Sequence, residues 1–183
     1  MNSLNSLRLV ALLGGCLSFA AVHAADMPKE QYQAEKSRIE ADYKTGRQAC
    51  DSLAGNAKDI CVEEAKGKEK IAMAELDAQR SPSASNNEKV VKARAEATYA
   101  VAKERCDDLS GNQKDVCVKE AKAARTKAEA DAKASRKVSE TRAEAAGDKR
   151  DAQYKAEVEK CDALAGDAKS TCVNSAKTKF GKS

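Results

Sequence analysis

The sequence predicts an all-α protein: a cleavable signal peptide, then three tandem helical hairpins, each with a Cys-x10-Cys disulfide near its turn, arranged as an elongated rod or a loose bundle. Three observations predict it. One motif is written three times, as CDSLAGNAKDICVEEAK from Cys50, CDDLSGNQKDVCVKEAK from Cys106 and CDALAGDAKSTCVNSAK from Cys161, at offsets of 56 and then 55 residues. Such self-similarity at a fixed period marks a repeat architecture. Beyond residue 24 the composition is dominated by Ala, Lys, Glu, Asp and Arg, the mixture of long helices and coiled coils. Within the arms, apolar residues recur at three- and four-residue steps, which places them on one helix face.

Each copy has Asp directly after the first cysteine, then Leu, Gly, Asn or Asp, Lys and a second Cys at fixed places, with a tyrosine (Tyr43, Tyr99, Tyr154) upstream. Helix formers run up to Gly55, Gly111 or Gly166, and glycine readily takes the left-handed conformation that ends a helix. Asn56, Asn112 or Asp167 follows, a residue type suited to cap a new helix. The chain is therefore expected to reverse at each of these pairs. Asp59 and Asp115 fall in the first turn of a return helix, where the helix dipole favours an acid.

The cysteines stand five residues before each glycine and six after it. At about 1.5 Å rise per residue both lie roughly 8 Å up their arms, facing one another. The expected pairs are Cys50 with Cys61, Cys106 with Cys117, and Cys161 with Cys172. Loop-closure entropy assigns each about 3 kcal/mol. A metal site is the rival reading, together with pairing between repeats or between molecules, since six cysteines admit about 15 connectivities. One cysteine pair per hairpin supplies too few ligands for zinc, and no histidine follows His23. Nothing here matches the Cys-x-x-Cys of an oxidoreductase.

Residues 1–24 read as a signal peptide: Arg8 in a weakly basic start, an apolar stretch from Leu9 to Val22, and a small-residue cleavage pattern ending at Ala24. The apolar run is short and broken by Gly14 and Gly15, so no permanent membrane span is expected. Leu13-Gly14-Gly15-Cys16 resembles a lipobox, which keeps a lipoprotein anchored through Cys16 as the minor alternative. Removal of Cys16 with the leader leaves six cysteines, which pair off. Disulfides and export together point to the periplasm.

Hairpin 1 is assigned to residues 25–80, with Pro28 in its first turn and its turn at Gly55-Asn56. Tyr32, Ile39, Tyr43, Cys50 and Leu53 form a narrow apolar seam on its first arm. Glu40 with Lys44 and Glu64 with Lys68 are acid-before-base pairs at helical spacing, and Gly46 and Gly67 are soft points inside the arms. Residues 81–87, SPSASNN, read as a flexible linker. Hairpin 2 takes residues 88–146, its first arm striped by Val91, Ala95, Tyr99, Ala102, Cys106 and Leu109. Its return arm begins near Gln113 and meets no strong stop before Gly166, giving a helix of about fifty residues and about 80 Å. Its middle, from Arg136 to Asp151, is almost wholly polar. If Gly147 divides that helix, residues 147–183 form hairpin 3 and the molecule closes into a bundle; if not, it is a rod.

No chemistry emerges from this pattern. There is no tryptophan, the single histidine lies in the leader, and the carboxylates alternate with lysines as on a solvated helix face. No phosphate-binding glycine loop, catalytic Ser/His/Asp order or cofactor fingerprint is present. An enzyme is not expected, nor a cofactor or a metal. The net charge of +4 is small and well mixed, unlike the one-sided basic footprint of a nucleic-acid binder. Lys58, Lys114 and Lys169 recur near the turns and read as solubilising surface, with an anionic lipid or cell-wall polymer as the functional alternative.

The Cys-Asp-x-Leu-x-Gly-Asn-x-Lys-Asp-x-Cys unit from Cys106 to Cys117 and the terminal KFGKS resemble a group of small exported proteins of Gram-negative bacteria labelled TolA-like cell-envelope biogenesis proteins. The likeness to TolA itself is to its helical stalk and is compositional. Export, stapled hairpins and the lack of a catalytic constellation point to a non-enzymatic periplasmic scaffold or interaction protein of the cell envelope, with an envelope protein or a cell-wall component as partner and an oligomeric state left open. A stress-protective or chaperone-like helical protein, shielding membranes or unfolded clients, is the alternative.

Overall fold

The computed structural model describes residues 27–182, and the expected signal peptide at residues 1–24, with Cys16, lies outside them. Five α-helices follow one another: α1 (Lys29–Ala49), α2 (Gly55–Arg80), α3 (Ala84–Cys106), α4 (Gly111–Cys161) and α5 (Gly166–Phe180). Each packs only on its neighbours in sequence, so α1 to α4 form an up-and-down row and α5 folds back along the far end of α4. The all-α fold and all three expected disulfides are present.

The scarcity of large aliphatics shows in the interior. Ile39 and Leu76 are buried, and the remaining buried apolar residues are alanines and the first cysteine of each pair. Alanine faces let helix axes approach closely and bury little area each, so the layers are thin. At Gly67 on α2 the helices approach closely, and an added Cβ would stand 2.8 Å from Ala97 Cβ on α3. Gly67 is buried there, and its expected role as a soft point inside the arm is corrected to that of a crossing point.

α4 runs unbroken for 51 residues, about 75 Å at the helical rise. Gly147 does not divide it, because a single glycine costs only about 1 kcal/mol and nothing packs there to force a bend. The molecule is thus the rod of the two alternatives, and the expected boundary between residues 146 and 147 falls inside a helix. Hairpins 2 and 3 share α4: its first part packs on α3 and its last part on α5. Between them residues 137–146 are exposed throughout.

The expected linker at residues 81–87 is shorter and tighter than a flexible joint. Only Ser81, Pro82 and Ser83 leave the helices. Ser83 caps α3, its hydroxyl accepting from the Asn86 N–H at 3.0 Å, while Asn86 Nδ2 donates to the Ser81 carbonyl at 2.6 Å. Proline stops α2 and the serine starts α3 within one turn. Across this turn, α2 and α3 are joined by Glu64–Arg105 at 3.1 Å, by Glu75–Arg94 and by Lys70–Glu96. Glu64 therefore serves α3, not Lys68 on its own helix, and Glu40 pairs with Lys36 at 3.8 Å in place of Lys44.

Candidate functional site

The tripled motif builds the same tip three times. α3 and α4 end at the first cysteine of their units and α1 one residue before it, at Ala49; the Leu N–H three residues beyond the cysteine donates to that cysteine's carbonyl, at 3.1 Å for Leu53 to Cys50 and 3.0 Å for Leu109 to Cys106 and Leu164 to Cys161. Two residues later Gly55, Gly111 and Gly166 take φ of 57°, 56° and 55°. The glycines hold the left-handed conformation, as expected, but they open the return helix instead of closing the incoming one. A Cβ in that region costs about 1 kcal/mol, which accounts for glycine in all three copies.

The capping roles expected of Asn56, Asn112 and Asp167 are corrected. The N-cap positions belong to Ala54, Ser110 and Ala165, without a side-chain cap hydrogen bond. Asn56 instead reaches across to the next hairpin, where its Nδ2 donates to the Glu104 carbonyl at 2.8 Å. That carbonyl lies in the last turn of α3 and also accepts from the N–H of Asp107, the residue that closes the helix, at 3.0 Å.

Behind the tip the cysteines clasp the arms, with Cα–Cα distances of 5.6 Å for Cys50–Cys61 and 5.7 Å for both Cys106–Cys117 and Cys161–Cys172. The first cysteine of each pair is fully buried and the second is half-buried. A thiolate must approach a disulfide sulfur directly to exchange with it, so each clasp is open to attack only at its second sulfur.

Outside the clasp the structure supplies what spacing alone did not reveal. The Asp after each first cysteine pairs with the motif lysine across the turn: Asp51–Lys58 at 3.1 Å, Asp107–Lys114 at 2.9 Å and Asp162–Lys169 at 2.9 Å. The three lysines therefore answer carboxylates of their own tip instead of standing as free cations. Hydrogen bonding from the Lys58 ammonium, supported by Arg47, holds the Asp51 carboxyl below its ordinary pKa. The recurrence of Asp and Lys in every copy was the available signal, and it is a pairing signal.

The motif leucines are the other surprise. Leu53, Leu109 and Leu164 are 42%, 41% and 44% exposed, so the apolar seams expected to run to Leu53 and Leu109 end at the cysteine, and in all three units the leucine stands out at the tip. Val91, expected in the stripe of the second hairpin, is 42% exposed as well.

The repeated tyrosines line the arms, and two of them are covered in the same register. Arg125 stacks over the Tyr99 ring at 4.5 Å, and Phe180 meets Tyr154 edge-on at 6.2 Å. Arg125 and Phe180 stand at the same distance beyond the second cysteine of their units. In the first unit that place is held by Glu69, and Tyr43 instead lines an open crevice of about 540 Å³ between α1 and α2, beside Ile39, Gly46 and Ala65.

No grouping of three or more His, Cys, Asp or Glu able to hold a metal occurs among the described residues. No described helix is long and apolar enough to cross a membrane. No family model, curated protein or solved structure matches the chain.

Proposed function

We propose that this protein is a non-enzymatic helical spacer and interaction scaffold of the bacterial cell envelope, acting in the periplasm after removal of the signal peptide. The observation that carries the reading is the clasped tip: three disulfides with one buried sulfur each, closing short hairpins whose alanine interiors are too thin to do so alone. Such clasps persist in an oxidising compartment and are reduced in the cytosol. The resemblance of the repeat to exported TolA-like proteins supports the same compartment.

The scaffold displays tips, not a cleft. Two tips, at Leu53 and Leu109, belong to hairpins of the packed row, and the third, at Leu164, lies at the other end of α4. An exposed leucine flanked by an ion pair is a contact residue in search of an apolar partner surface.

The test has two arms. Thiol trapping of protein taken from the periplasm should find all six cysteines of residues 25–183 oxidised, and crosslinking in whole cells should yield an envelope partner that disappears when Leu53, Leu109 and Leu164 are replaced together by serine. Free thiols, or crosslinking unaffected by the triple replacement, would overturn the reading. Circular dichroism separates the shielding alternative: a scaffold is strongly helical in plain buffer and loses helix with reductant, whereas a shield gains helix only on drying or on lipid.

A further inference from the structure

We infer that α4 is a self-association surface, and that its occupant is the α4 of a second copy running antiparallel about a two-fold axis near the Lys137–Val138 bond. The inference rests on repeat register and does not depend on the compartment or on the scaffold reading.

The interface between hairpins 1 and 2 is the template. α2 and α3 run antiparallel from the turn at Ser81, Pro82 and Ser83, with Gly67 against Ala97, Glu64 paired to Arg105, Glu75 paired to Arg94, and Asn56 donating to the Glu104 carbonyl. The repeat offsets of 56 and 55 residues carry each partner to its counterpart between units 2 and 3. Gly67 and Ala97 become Ala123 and Ala152. Glu64 and Arg105 become Glu120 and Lys160, Glu75 and Arg94 become Asp131 and Lys149, and Asn56 with Glu104 becomes Asn112 with Glu159. Both charge pairs keep their signs, and only Lys70–Glu96 is lost, as Thr126 with Asp151. The third unit has Asp167 where the other two have asparagine.

These counterparts form no interface within one molecule. Glu120, Ala123, Asp131, Lys149, Ala152 and Lys160 are all exposed, and among the described residues neither Glu120 nor Lys149 has an ion-pair partner. The reason lies at the turn. Pro82 maps onto Val138, so the element that breaks α2 from α3 is replaced by a residue that continues the helix, and Arg136 bridges Glu88 and Glu140 across the point where the chain would fold. With α4 held straight, its two halves cannot meet each other. They can meet the opposite halves of a second α4, because Ala123 and Ala152 lie equally far on either side of the Lys137–Val138 bond. Every contact is then made twice, as in an isologous interface. Val138, 48% exposed, sits beside the axis. The arrangement also brings the third tip of one copy beside the second tip of the other, completing at each end a row of three.

Light scattering on the oxidised protein, from residue 25 to the C-terminus, tests this. A concentration-dependent dimer is expected. Glu120→Lys, which sets like charges opposite each other twice per dimer, should weaken association roughly tenfold, and Glu120→Lys combined with Lys160→Glu should restore it. Val138→Pro should give a compact monomer with near-normal helix content, its third unit folded back as the second folds on the first. A wild-type monomer, whether extended or with residues 123 and 152 crosslinked within one chain, overturns the proposal, as does a dimer indifferent to both charge changes.

Discussion

The glycines separate three jobs that one residue type performs here, and substitution by alanine tells them apart by sign. At Gly67 a new Cβ collides with Ala97, so Gly67→Ala should destabilise by about 1–3 kcal/mol as the helices are pushed apart. At Gly147 nothing lies within 4 Å, and the same change should stabilise by roughly 0.5–1 kcal/mol through helix propensity. At Gly55 space is free but φ is positive, and Gly55→Ala should cost about 1 kcal/mol through the backbone alone. Urea midpoints of the three variants check the order. The charged residues make a second prediction. The carboxyls of Asp51, Glu88, Asp151 and Glu157 are held below their ordinary pKa chiefly by hydrogen bonds from Lys58, Lys92, Lys182 and Lys160 respectively. A carboxyl lowered in the folded state stabilises the fold above the ordinary carboxylate range and loses that contribution as pH falls through the lowered value. The thermal midpoint should therefore be flat from about pH 8 to 5 and fall below about pH 4, and Lys58→Met should flatten part of that fall.

The clasps are chemically alike, and the helices they hold are not. α2 is clasped to α1 and packed on α3 as well, whereas α5 touches only α4. A helix of 15 residues is marginal in water by itself. Replacing Cys161 and Cys172 by serine should release α5, so that its amides exchange hydrogen within seconds while α2 and α3 stay protected. The same replacement at Cys50 and Cys61 should loosen α1 and leave α2 ordered. Hairpins and clasps were legible in the sequence because each has a short-range cause: a left-handed glycine for the reversal, cysteine spacing for the bridge. The Asn56 contact and the Gly67 crossing were not legible, since both join residues of different hairpins and their types suited a local role equally well. The linker was misread for a related reason: Ser83 and the asparagine-rich residues after it have loop composition, yet they cap and begin α3.

At the scale of the whole molecule, the continuity of α4 decides between rod and bundle, and the sequence held both because Gly147 is a permissive residue with no packing partner to settle it. The straight form follows from what surrounds the midpoint. Arg136 is engaged by Glu140 one turn ahead and by Glu88 on α3, and Val138 offers the helix no reason to stop where Pro82 offered one. The second and third tips should therefore be held about 75–80 Å apart, the length of the helix between them. Fluorescent unnatural residues in place of Leu109 and Leu164, with the doubly labelled chain diluted into unlabelled protein so that only pairs within one chain report, should show energy transfer close to background. Adding Val138→Pro should raise that transfer strongly, because a break at residue 138 lets the third hairpin return to the side of the second. High transfer in the unmutated chain would mean that α4 bends in solution, and the separation of the second and third tips would be lost with it.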